Sequence, residues 1–283
     1  MYLNALPVTI LFLCTLASVD SSLKIGAFNI KWLTWSKVND PDVLRSLKLI
    51  LPRYDVVLIQ EVRGDADSIA EKLVRELNSQ QNASVYVPLV SSKVGRTNYK
   101  EQYIFLYRLY SLSVRSASHF DDGSEELGTD LFEREPYILV AHSDNTRVKD
   151  FAIIGLHAKP EDVSHELARL GQVVDDTCRT YRIENVIIAG DLNADCSYLS
   201  ASAQAASPLF TNSSYTWLID RGSDTTVGAN TCAYDRFIIT GYRVNRYLIS
   251  GSVQAYNFRE AQSLTVDQAH AVSDHYPIEM ELE

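Results

Sequence analysis

Five short stretches place reactive side chains at the ends of apolar, strand-like runs. They are Phe28-Asn29-Ile30, Gln60-Glu61-Val62, Gly155-Leu156-His157, Gly190-Asp191-Leu192-Asn193 and Ser273-Asp274-His275-Tyr276. Strand ends are common places for sites, and these five can converge on one end of a sheet. Glu61, Asp191 and Asp274 are hard oxygen ligands suited to Mg²⁺ or Ca²⁺. Asn29 and Asn193 can ligate a metal or donate to a phosphate. His157 and His275 can exchange protons near neutral pH, and each needs an orienting carboxylate. Glu101 and Asp235, at strand edges, are the candidates. Together these groups meet the demands of phosphodiester hydrolysis: a charge-withdrawing metal, a base for water, an acid for the leaving oxygen and donors for the phosphate. Each has a plainer reading when taken alone. Asn193 can form a turn, Glu61 can be a solvated strand end, and Asp235 can pair with Arg236.

Other chemistries find little support. Cys178, Cys196 and Cys232 have no His or Cys partner at zinc-ligand spacing. There is no Gly-x-Ser-x-Gly elbow and no glycine-rich phosphate loop. The formal net charge of −10 over 283 residues argues against general coating of nucleic acid but leaves room for a local basic groove.

The elements that must position these residues follow from periodicity. Leu23 to Ile30, Asp55 to Val62 and Val186 to Gly190 read as strands, the second apolar enough for burial on both faces. Val85 to Ser91, Tyr103 to Arg108 and Leu112 to Phe120 follow the same pattern, as does a hairpin of Tyr137 to Ser143 with Arg147 to His157. A second hairpin is expected over Tyr234 to Thr240 and Arg243 to Ile249, and a last strand over Ile278 to Leu282. Three helices are expected, opening at Asn39-Asp40-Pro41, at Asp65 and at Asp162, with the chain from Asn193 to Thr231 rich in loops. Many hairpin-joined strands with few crossovers fit two packed sheets with helices outside better than a barrel of alternating strands and helices.

Met1 to Ser22 reads as a secretory signal with an apolar core too short to span a bilayer, leaving 23–283 as a single domain. Without Cys14 three cysteines remain, so at most one intrachain bridge forms. Cys178 falls on an apolar helical stripe and is expected to be a buried free thiol. Cys196 and Cys232, in loop-like sequence, are the expected bridge of a secreted chain. Asn82-Ala83-Ser84 and Asn212-Ser213-Ser214 are glycosylation sequons.

The combination of motifs resembles the deoxyribonuclease I branch of the endonuclease/exonuclease/phosphatase superfamily. The likeness extends through Glu61-Val62-Arg63, Asn98-Tyr99-Lys100-Glu101, Arg134-Glu135-Pro136 and Cys232-Ala233-Tyr234-Asp235-Arg236. It implies an α/β, four-layer sandwich of two packed mixed β-sheets flanked by helices, and a secreted, monomeric endonuclease that nicks double-stranded DNA to 5′-phosphate ends, with catalytic Mg²⁺ or Mn²⁺ and structural Ca²⁺. It pairs His157 with Glu101 and His275 with Asp235 as acid and base, and sets Glu61, Asp191, Asp274, Asn29 and Asn193 around metal and phosphate. Arg63 and Tyr99 match minor-groove contacts, whose degenerate edges give weak sequence preference. Arg134, Arg96 and Lys100 are candidate phosphate contacts, with solvated surface charge as the plainer reading.

The resemblance also carries two calcium sites. One uses Asp224, Thr226 and residues toward Asn230, and the other Asp122, Asp130, the Phe132 carbonyl and Glu135. Ser124 and Leu127 stand where many relatives have a small disulfide, so order in this acidic loop is expected to depend on the cation. Pro88 and Tyr137 depart from the actin-binding pattern of some relatives, and neither actin binding nor membrane binding is expected. An apurinic endonuclease, a sphingomyelinase, an inositol-phosphate phosphatase and a catalytically dead binding module are the rival readings. Arg63 and Tyr99 favour DNA over lipid, and retention of both histidines and Glu61 argues against a dead module.

Overall fold

The computed structural model describes residues 22–81, 85–124 and 126–283. The signal reading, apart from Ser22, and the Asn82 sequon lie outside them. In chain order the elements are β1 (Leu23–Leu33), α1 (Trp35–Asn39), α2 (Pro41–Ile50), β2 (Val56–Val62), α3 (Ala66–Gln81), β3 (Tyr86–Val90) and β4 (Gln102–Arg108). There follow β5 (Ser113–His119), β6 (Tyr137–His142), β7 (Asp150–Gly155), α4 (Val163–Tyr181) and β8 (Val186–Asp191). The rest comprises α5 (Ala201–Ala206), α6 (Pro208–Thr211), β9 (Tyr215–Trp217), β10 (Asp235–Thr240), α7 (Tyr242–Arg246), β11 (Gln254–Ala255), α8 (Phe258–Ala261), α9 (Val266–Val272) and β12 (Ile278–Leu282).

Two six-stranded mixed sheets result, ordered β11-β12-β1-β2-β4-β3 and β5-β6-β7-β8-β10-β9. β1–β2 and β7–β8 are parallel, and the other pairings are antiparallel. β2 shows why the fold has four layers. Val56 and Leu58 enter the core between the sheets, whereas Val57 and Ile59 face the core under the outer helices. A strand with period two and no polar face is buried on both sides. The sheets meet closely at Gly155, where a Cβ would lie 2.8 Å from the Leu58 side chain. α4 covers the outer face of the second sheet through Leu167, Leu170 and Val174. Among the described residues no helix is long and apolar enough to cross a membrane.

Three expectations need correction. The second half of the Tyr234–Ile249 hairpin is the short helix α7, because Gly241 turns the chain at φ 110° and Asn185 Oδ1 accepts from the Arg243 and Val244 N–H groups. A distant side chain thus caps a helix that local sequence reads as strand. The loop-rich stretch after Asn193 contains α5 and α6, and α9 precedes the last strand. The capping box of Thr265 and Gln268 was the available signal for α9. Cys178 is free as expected but only half-buried, at the margin of the α4 core. The Cys196–Cys232 bridge is formed.

Candidate active site

The five stretches do converge, four near the ends of β1, β2, β7 and β8 and one just before β12, and Asp235 at the start of β10 joins them. His157 Nδ1 donates to Glu101 Oε2 at 2.9 Å, and His275 Nδ1 donates to Asp235 Oδ2 at 2.8 Å. Both Nε2 atoms then turn to one acceptor, Asp191 Oδ2, at 3.6 Å and 3.5 Å. Two imidazoles from different strands, each held from behind by a carboxylate, face a common third carboxylate. Asp191, Asp235 and His275 present ligand atoms within 4.8 Å of one another.

The electrostatics follow from this crowding. Burial lowers the His275 pKa, but Asp235 and Asp191 outweigh it and raise the pKa to about 10. Burial and Arg134 act the same way on His157, and Glu101 and Asp191 again win, holding it above the usual histidine value. Burial pushes Glu101 up, yet His157 and Arg134 keep it below the ordinary carboxyl range. Asp235 is raised, because full burial exceeds the pull of His275. Asp274 is lowered, since burial is overcome by His275 and by Lys31, whose Nζ lies 2.6 Å away.

Asn29 Nδ2 donates to Glu61 Oε1 at 2.8 Å and to Asp191 Oδ2 at 3.0 Å, tying the two carboxylates together. Asn29 Oδ1 and Asp274 Oδ1 are buried without a hydrogen-bond partner. Unsatisfied buried acceptors beside anionic groups are a donor set that suits a hard cation. Asn193 is placed differently from a simple ligand. Its Nδ2 donates to the Ala158 carbonyl at 2.9 Å, so it fixes the loop after His157. Asp235 does not pair with Arg236, which donates instead to the Ala194 and Ile219 carbonyls.

Several positioning residues were missed in the sequence. Gln60 is fully buried between the sheets, donating to the Leu156 carbonyl at 2.8 Å and accepting from Asp191 N–H at 2.9 Å. Gly190, at φ 129°, lets it approach, since a Cβ there would lie 2.6 Å from the Gln60 amide. Thr225 Oγ1 accepts from Tyr234 and Asp235 N–H, and Tyr103 Oη accepts from His157 N–H. Glu166 on α4 is wholly buried, and burial pushes its carboxyl up to about 7. It accepts from Glu133 N–H at 2.9 Å and Lys159 N–H at 3.0 Å, joining the loops on both sides of His157. Nothing in its local sequence separates Glu166 from a solvated helix face.

Arg63 lies 3.4 Å from the Tyr99 ring centroid at the mouth of the site. Arg134 is an interior wall, with Nε 3.1 Å from Glu101 Oε2 and Nη1 donating to the His157 carbonyl. Arg96 pairs with Asp130 at 2.6 Å, and Lys100 Nζ donates to the Gly95 carbonyl. Asp122 Oδ2 accepts from Phe132 N–H at 2.8 Å, and burial plus the Asp130 charge raise its pKa to about 6. Asp224, Thr226 and the Asn230 carbonyl form one hydrogen-bonded cluster. That cluster backs the site directly, since Val227 N–H donates to the Asp274 carbonyl at 2.7 Å.

Residues 27–275 match the Endonuclease/Exonuclease/phosphatase family. The chain is 39% identical to Deoxyribonuclease-1 of Bos taurus over 273 residues, covering 96% of each protein. It is 40% identical to Deoxyribonuclease-1 of Gallus gallus over 268 residues, 94% of each. A solved structure of humanized D. rerio TDP2 superposes with a TM-score of 0.62 at 16% identity, covering 93% of this chain and 99% of that one, a likeness of fold.

Proposed function

The chain belongs to the endonuclease/exonuclease/phosphatase family, in its deoxyribonuclease I branch, and from that premise we propose that it is a secreted, single-domain, metal-dependent endonuclease of double-stranded DNA. The observation that carries this reading is the pair of carboxylate-backed imidazoles aimed at Asp191. A Mg²⁺ or Mn²⁺ ion held by Glu61, Asp191, Asp274 and Asn29 Oδ1 would withdraw charge from the phosphoryl oxygens. One imidazole takes a proton from water as the water oxygen bonds to phosphorus. The other gives its proton to the departing 3′ oxygen, leaving a 5′-phosphate. Glu101 and Asp235 hold the ring orientations, and Gln60 and Glu166 hold the loops. The two pairs are alike in geometry, each imidazole backed by a carboxylate and facing Asp191, and the acid and base roles are assigned to the coupled pair.

Arg63 and Tyr99 fit entry into the minor groove, which is electronegative and nearly degenerate in its edges. Low sequence preference follows. Lys100, Arg134 and Arg96 are assigned to phosphate contacts. For Arg96 this means exchanging Asp130 for phosphate, a role that Ca²⁺ at Asp122, Asp130, Phe132 and Glu135 makes feasible by taking over the carboxylates. A second Ca²⁺ at Asp224, Thr226 and Asn230 would stiffen the turn behind Asp274. Incubating the chain with supercoiled plasmid in Mg²⁺ and Ca²⁺ tests the reading. Open-circular product that vanishes in EDTA and carries 5′-phosphate ends is expected, and an uncut plasmid in both conditions would contradict it.

A further inference from the structure

Trp32 occupies an unusual place. The β1–β2 register shifts between Asn29 and Leu33, forming a bulge. Trp32 at φ 52° and Glu61 at φ 57° both take the left-handed conformation there. Bulky side chains seldom adopt it, and such strain gathers at functional sites. Bulges re-aim side chains, and this one turns an indole outward. Trp32 is 52% exposed and belongs to none of the three apolar clusters among the described residues. Its N–H donates to Glu61 Oε2 at 3.0 Å, so its backbone is fixed against the centre of the site. The Arg63 guanidinium lies 5.7 Å from its ring and 3.4 Å from that of Tyr99. An aromatic, a cation and a second aromatic are thus grouped beside Glu61.

We propose that the Trp32 indole is a base-stacking platform beside the site, a specificity-determining residue that raises turnover of single-stranded or locally unpaired DNA relative to duplex. The inference rests on the nuclease reading above. In an intact duplex the bases cover one another's faces and the minor groove offers only their edges. A flat, exposed indole therefore finds a matching face only where a base is unstacked. The backbone bond from Trp32 N–H to Glu61 holds the indole beside a candidate metal ligand, so the stacked base would belong to a nucleotide near the scissile phosphate. Such stacking is tolerant of sequence, because every base has a π-face.

The test compares a labelled, unstructured thymidine-rich oligodeoxynucleotide with the same strand annealed to its complement. Trp32→Ala should lower single-strand kcat/KM by about tenfold more than duplex kcat/KM, within the range measured for loss of one stacked base. Trp32→Phe, which keeps a stacking ring, should recover most of the difference. In EDTA the oligonucleotide should quench indole emission, and Trp32→Phe should lose at least half of the quench. Equal losses on the two substrates, or a quench unchanged in Trp32→Phe, would overturn the proposal. Failure to cut either substrate would remove the nuclease reading, and the quench would still decide the platform.

Discussion

Two buried charge clusters lie along β1, and similar residues do opposite work in them. Near its start Glu279 of β12 is fully enclosed and well supplied with donors. Arg53 bonds both oxygens at 3.1 Å and 2.8 Å, while Lys24 and Gln254 reach Oε1 at 2.9 Å. Near its end Asn29 and Asp274 keep buried oxygens without a hydrogen-bond donor, and two imidazoles crowd one Asp191 oxygen. Burial alone does not mark a site. Saturation marks structure, and unspent acceptors facing a cleft mark capacity for a ligand.

The sharpest way to break this comparison is Asp191→Asn. It should lower plasmid nicking by about 10²–10⁴-fold, as losing several kcal/mol of metal-borne charge stabilisation implies, with the thermal midpoint nearly unchanged. A large loss of stability with modest loss of rate would make this cluster structural too. The Cys196–Cys232 bridge comes next, since it staples the chain after β8 to the chain before β10 behind the catalytic groups. Replacing both cysteines with serine should cost ~3–4 kcal/mol in the loop-entropy account, read by denaturant melts.

Glu279→Gln should show the converse of Asp191→Asn. A loss of about 2–3 kcal/mol is expected, below the usual figure for a broken buried pair because Arg53 and Lys24 can regain water. Nicking per folded molecule should persist. Burial raises the Glu279 pKa, but Arg53, Gln254 and Lys24 outweigh it and hold the carboxyl low. Its contribution is therefore present above the unfolded carboxyl value of about 4.3 and lost as pH falls through the folded value. The gap between wild type and Glu279→Gln should close in acid, and a gap independent of pH would refute the pairing.

The smallest effect concerns the acidic loop at 121–135. Arg96 and Lys159 anchor it from outside through Asp130 and Glu133, which sequence reading did not foresee. On the proposed reading calcium would take over Asp130 from Arg96 when DNA binds, while Lys159–Glu133 holds the loop in either state. Chelation should speed proteolysis of this loop by a few-fold, as mass action on its ordered state requires. Equal cleavage with calcium and with chelator, read by mass spectrometry, would remove the cation from this role.

Much of the site was legible because strand ends announce themselves locally. Asn29, Glu61, His157 and Asp191 stand at the ends of apolar runs, Asp274 stands just before one, and Glu101 and Asp235 sit at strand edges within reach of the histidines. Gln60, Thr225 and Glu166 were not legible, since their roles consist of hydrogen bonds to chain far away in sequence. The same cause hid α7, capped by Asn185 rather than by a neighbour. The bulge that exposes Trp32 arises from the register of β1 against β2, which neither strand shows alone.

On the proposed mechanism His157 and His275 serve one phosphate as a unit. Plasmid nicking by His157→Ala, His275→Ala and the double variant, each shown to be folded, tests it most directly. Each single change should cost about 10²–10⁴-fold, and the double variant should fall close to the worse single, because groups acting on one transition state are not additive. Near-wild-type singles, or a double loss equal to the product of the two, would contradict the account.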